Sequence, residues 1–280
     1  MQAFGNRLDT TAITPVACML LLLFGLPHGT LDLALLRQRE ESGPGIAALL
    51  IVYGACASAM YALWLLAPVL ALIVFVAIAV RHFAEDWRGM ESRFVAYGTA
   101  VAMIAVPALR HRPEIASIFV SLTGSASAAY LADILLLIAP VAGMIALAGA
   151  GSLWQRGSRR SALALVGALV AEALLPPVIG FALFFCFVHS PAQLREAIGQ
   201  LQRPTREAWL RIILPLTLAA LALAAMIGAA PVHLSLTAGA LRACFVTLSV
   251  LTMPHMIVPY LARRYRAAIL RAGEREGVRV

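Results

Sequence analysis

Four of the six histidines in this chain, His28, His82, His189 and His255, lie inside or at the end of long apolar stretches. A polar ring there is costly unless something engages it. Two of the four carry an acidic residue four positions on. His28 is followed by Asp32 in Gly25-Leu26-Pro27-His28-Gly29-Thr30-Leu31-Asp32, and His82 by Asp86 in His82-Phe83-Ala84-Glu85-Asp86. On a helix that spacing places both groups on one face. Neutral imidazole nitrogens suit iron or zinc, and Asp32 and Asp86 either orient a ligating ring or cap the end of a span. His111, flanked by Arg110 and Arg112, and His233, after Pro231, carry no such signal. Phe184, Phe185 and Phe187 either wall a cavity for a long apolar ligand or simply pack.

The elements that must hold these groups are membrane helices. With 61% hydrophobic and 13% charged residues, the chain is far from the balance of a soluble domain and has no polar region large enough for a second one. A single integral-membrane domain over 1–280 is expected, in a cell membrane and, for a bacterium, the inner one. The net charge of +8 is carried by arginine alone, since lysine is absent. It speaks of topology and membrane lipid rather than of nucleic acid. Cys18, Cys56, Cys186 and Cys244 all fall in apolar runs and read as small buried hydrophobes. The first run lacks a small-residue cleavage site and is read as a span rather than a signal peptide.

Hydropathy gives an all-α transmembrane bundle of about nine spans, with eight as the other count. They fall near 11–36, 46–66, 69–86, 93–109, 130–150, 161–175, 178–192, 210–229 and 238–262, with 115–129 a partly inserted helix or shielded connection. Residues 194–209 form an amphipathic surface piece. On that path eighteen of the 22 arginines fall on one side and only Arg7, Arg110, Arg112 and Arg242 on the other. The rich side is then cytoplasmic, the N-terminus outside, and 263–280 a charged cytoplasmic tail. His28, His82, His189 and His255 precede cytoplasmic arginines by 9, 6, 6 and 8 residues, a common layer roughly 9 to 14 Å deep at 1.5 Å per residue. A metal site between helices in the cytoplasmic half follows.

The stretches around His28 and His82, with Phe187-Val188-His189-Ser190-Pro191 and Met253-Pro254-His255-Met256, resemble the successive signatures of the bacterial and archaeal Brp/Blh family of integral-membrane beta-carotene 15,15'-dioxygenases. The likeness covers nearly the whole chain. It implies a non-haem Fe(2+) enzyme that splits the central double bond of beta-carotene with O2 into two retinals, with a rhodopsin as the consumer. It also implies that His28, His82 and His189 bind the iron. The chain departs from the family at Gln193, where the third signature normally has a ligand histidine. Three completions are open: coordination by Gln193, a fourth nitrogen from His255, or a three-histidine iron. A transporter using the same His and Asp groups, or a non-catalytic carotenoid-binding protein, are the competing expectations.

Overall fold

The computed structural model describes residues 13–25, 46–200, 214–229 and 235–277, and all regular structure among them is helical. In order these are α1 (Ile13–Gly25), α2 (Ile46–Leu66), α3 (Pro68–Phe83), a tighter 3-10 turn (Ala84–Trp87), α4 (Arg93–Ala105) and α5 (Ala108–Thr123). After a short 3-10 turn at Ala126–Ala128 come α6 (Ala129–Gln155), α7 (Arg159–Leu174) and α8 (Pro177–Phe184). A π-helical turn (Phe185–His189) leads into α9 (Ser190–Gln200), and α10 (Leu214–Ala229) and α11 (Leu236–Gly277) complete the set.

Local chemistry explains the breaks. Pro68 stands at the start of α3, where its missing N–H costs nothing, and Pro177 does the same for α8. Ser92 caps α4 by accepting from the Val95 N–H. Gly124, at φ 68°, ends α5 in the left-handed conformation that glycine adopts without strain.

The nine-span expectation is corrected by these helices. Among the described residues four are long and apolar enough to cross a membrane: Pro68–Trp87, Ala126–Gln155, Pro177–Glu196 and Leu236–Val258. A fifth is counted if the bent pair α4 and α5 is one broken span. The chain is thus a multi-pass membrane protein with fewer full-length spans than its apolar runs suggest. A hydrocarbon core of about 30 Å needs about 20 helical residues, and Ile13–Gly25, Leu50–Leu66 and Thr217–Ile227 are shorter. The run at 93–109 illustrates the error. Its helix stops at Ala105, the axis turns by 66° before Ala108, and Arg110, His111 and Arg112 lie inside α5 rather than in a loop. His111, at φ −117° and ψ 26°, marks a second kink two residues before Pro113. Arg112 donates two hydrogen bonds to Asp133 of α6, pairing a carboxylate for which the sequence suggested no partner.

The packing follows a small-residue logic. The buried face of α6 reads Ala132, Leu135, Ala139, Ala142, Ala146, Gly149 and Leu153, an alternation of three and four residues that keeps one stripe against α4 and α5. α11 packs on α2 and α10, and the Trp64 indole N–H donates to Ser249 Oγ at 2.6 Å across the α2–α11 seam. The ninth expected span and the charged tail form one helix, since α11 runs unbroken for 42 residues.

Candidate active site

Four elements converge at one end of the bundle. α3 brings His82 in its last turn, the 3-10 turn brings Asp86, the π-helical turn brings His189, and the middle of α11 brings His255. The His82 and His189 ring centroids are 4.6 Å apart at an interplanar angle of 79°, and those of His82 and His255 are 4.9 Å apart at 83°. His82 and His189 are buried, His189 completely.

Asp86 joins this cluster from a direction the spacing does not suggest. An unbroken α-helix would leave Asp86 above His82; the tighter turn at Ala84–Trp87 carries it further round the axis. Its Oδ2 lies 2.7 Å from His189 Nδ1, and its Oδ1 accepts a hydrogen bond of 2.7 Å from Gln193 Nε2. With Nδ1 engaged, Nε2 is the nitrogen of His189 that serves the cluster. Gln193 holds the carboxylate rather than standing beside the rings.

The geometry of His189 originates in Pro191. Proline has no N–H to give to the preceding turn, and the helix absorbs the defect by widening: the Ser190 N–H donates to the Phe185 carbonyl, five residues back. The helix therefore continues through Pro191, and His189 and Gln193 both reach Asp86.

α1 arrives at the same place. Ser190 Oγ donates to the Phe24 carbonyl and Cys186 Sγ to that of Leu20. Gly25 passes so close that a Cβ there would lie 2.8 Å from Phe185 Cε1. His28 and Asp32 follow shortly after and lie outside the described residues, as does His233. His111 sits elsewhere, 3.5 Å from Glu114.

Beyond the cluster the surface is charged. Arg81 and Arg88 flank Glu85 at 2.7 and 3.1 Å, and Arg88 reaches Glu196 of α9 at 3.0 Å. On the other side lies an apolar pocket of about 730 Å³, its open mouth included, whose lining is hydrocarbon and aromatic but for Glu172. Phe83 joins the two regions, lining the pocket and meeting His189 edge to face at 4.9 Å. Phe181 lines the pocket and packs on Phe185, which lies 4.9 Å from His189. Of the aromatics singled out above, Phe184 and Phe185 are buried and Phe187 is exposed. Phe83 and Phe181 were not singled out, although Phe181, Phe184 and Phe185 stand at helical spacing.

The donor set fits a ferrous ion in kind. It consists of neutral imidazoles, one oriented by a carboxylate on its far nitrogen, in a buried pocket. Among the described residues, no group of three or more His, Cys, Asp or Glu side chains is arranged to hold a metal ion. The set that the resemblance implies includes His28, beyond Gly25.

A helical membrane protein with a buried histidine cluster opening on a hydrocarbon pocket belongs among enzymes that act on lipid-soluble substrates. Residues 19–262 match the beta-carotene 15,15'-dioxygenase family, and the chain belongs to that family of carotenoid-cleaving enzymes. It is 28% identical over 260 residues to a beta-carotene 15,15'-dioxygenase from the uncultured marine bacterium 66A03, covering 86% of this chain and 91% of that protein. No solved structure matches the chain.

Proposed function

We propose that this protein is a non-haem iron dioxygenase of the Brp/Blh type that cleaves the central double bond of beta-carotene. One C=C bond and one O2 become two aldehyde groups, giving two molecules of retinal. The observation that carries this reading is the junction at Phe83, where a buried cluster of imidazoles meets an otherwise apolar pocket.

His82 and His189 would hold the ion together with His28, whose segment follows the point where Gly25 packs on Phe185. His255 is the fourth nitrogen donor. Its ring stands beside His82, while the Gln193 amide is committed to Asp86. When bound, ferrous iron supplies an exchangeable position and the redox capacity that O2 activation needs. The remaining tasks fall to the chain. Asp86 fixes the tautomer and direction of His189. Phe83 and Phe181 position the polyene, and the hydrocarbon walls keep water from the reacting carbons.

The arginine-rich end, with Arg81, Arg88 and Arg195, faces the cytoplasm by the positive-inside rule. α1, α3 and α8 all run toward that end, which places residue 13 on the outer side and α11's charged extension in the cytoplasm. Reporter fusions at the two termini should report opposite sides. Delivery of retinal to a rhodopsin rests on the resemblance alone.

The test is purification in detergent, metal analysis, and aerobic incubation with beta-carotene followed by chromatography. Stoichiometric iron and retinal as the sole carbonyl product are expected. Longer apocarotenals would mean eccentric cleavage. No turnover after iron reconstitution would overturn the proposal in favour of a carotenoid-binding or transport role.

A further inference from the structure

The apolar pocket holds one polar side chain that the chemistry at the histidines does not use. Glu172, on α7, is completely buried, and neither carboxyl oxygen has a hydrogen-bond partner among the described residues. Burying such a group without partners is unfavourable, and natural structures seldom retain one that nothing engages. The backbone makes room for it: a Cβ at Gly180 of α8 would lie 3.0 Å from Glu172 Oε2 and 3.0 Å from the Ala171 carbonyl, so only glycine lets α8 close over this carboxyl. The rest of the pocket lining is apolar, which leaves no neighbouring carrier to make Glu172 part of a proton relay.

Its position along the fold is informative. Gly180 precedes His189 by nine residues, about 13 Å of helix at 1.5 Å per residue. That is comparable to half the length of a carotenoid. A polyene whose central bond sits at the histidines would therefore bring a terminal ring to the level of Glu172.

We propose that Glu172 is a specificity-determining anchor for the far end of the substrate, and that the ligand it takes is a carotenoid whose terminal ring bears a hydroxyl group. The ring O–H donates to a Glu172 carboxyl oxygen, and a plain hydrocarbon ring leaves that oxygen unpaired. A site built to hydrogen-bond a hydroxyl discriminates strongly against the analogue that lacks it. This inference rests on the carotenoid-cleaving reading above.

The experiment compares beta-carotene with its 3-hydroxy derivative, using the full-length protein in detergent. Equilibrium binding is followed by the carotenoid absorption band, and kcat/KM is measured on the iron-loaded enzyme. Wild type should bind the hydroxylated carotenoid at least tenfold more tightly. Glu172→Gln, which still offers an acceptor, should keep most of that preference. Glu172→Leu should bring the ratio to about one while gaining a few fold in affinity for beta-carotene, which also shows that the variant is folded. An unchanged ratio in Glu172→Leu, or no preference in wild type, would overturn the assignment while leaving carotenoid cleavage intact. If wild type binds neither carotenoid, the cleavage reading itself fails and this inference falls with it.

Discussion

Asp86 and Glu172 are both buried carboxyls in an apolar membrane bundle, and they are handled in opposite ways. Both oxygens of Asp86 are engaged, one at His189 and one by Gln193, each at 2.7 Å. Neither oxygen of Glu172 is engaged by any described residue. A carboxylate with its acceptor sites filled is a structural clamp: it fixes a neighbour and has no capacity left for a ligand. A carboxyl with open acceptor sites on a cavity wall weakens the empty protein and is kept for what enters.

That contrast is tested first at the groups Asp86 serves. Replacing His82, His189 or His28 by alanine should remove most of the iron and at least a hundredfold of the activity, with membrane insertion intact by fractionation; the same change at His111 should do far less. Full iron content in His189→Ala would break the metal assignment. Asp86→Asn should lower iron affinity or turnover by about 10- to 100-fold, the usual consequence of losing a group that orients a metal-bound histidine.

Stability should move in opposite directions at the two carboxyls. Glu172→Leu removes a buried unsatisfied group and should stabilise the protein in detergent by about 1–3 kcal/mol. Asp86→Leu strands two donors and should destabilise it by a similar amount. A differential thermal melt of the two variants measures the sign directly. Gly180→Ala, which pushes a methyl against backbone and the Glu172 carboxyl, should cost about 1–3 kcal/mol through overpacking. The smallest effect is expected at Gln193→Ala, a few-fold loss of iron affinity, while His255→Ala should lose clearly more. Loss confined to Gln193→Ala would return the fourth position to the family site.

The clamp was only half legible in the sequence. His82, His189, His255, Asp86 and Gln193 were all found, because polar residues in apolar runs stand out and their motifs resemble a known family. Their pairing was not found. The repeated His-to-Asp spacing assigns Asp86 to His82 on an ideal helix, whereas a 3-10 turn and a π-helical turn, each shifting the register of a single element, deliver it to His189. Hydropathy likewise located the apolar segments but miscounted the full spans, because composition does not reveal where an axis bends. The α4–α5 break and Arg112's pairing with Asp133 are tertiary facts. Glu172 was visible as an acidic residue in an apolar segment, yet its place on a cavity wall depends on Gly180 of the next helix.

The π-helical turn at Phe185–His189 also bears on how this segment tolerates insertions and deletions. A π turn accommodates one residue more than the α-helix it interrupts. Removing a single residue between Phe185 and Val188 would let the segment revert to an ordinary α-helix, and everything after it would rotate by about 100° relative to α8. His189, Ser190 and Gln193 would turn away together from Asp86 and Phe24. A second residue inserted there would rotate them about as far in the other direction. The segment is therefore open to many substitutions on its exposed side, where Phe187 lies, but closed to any change of length.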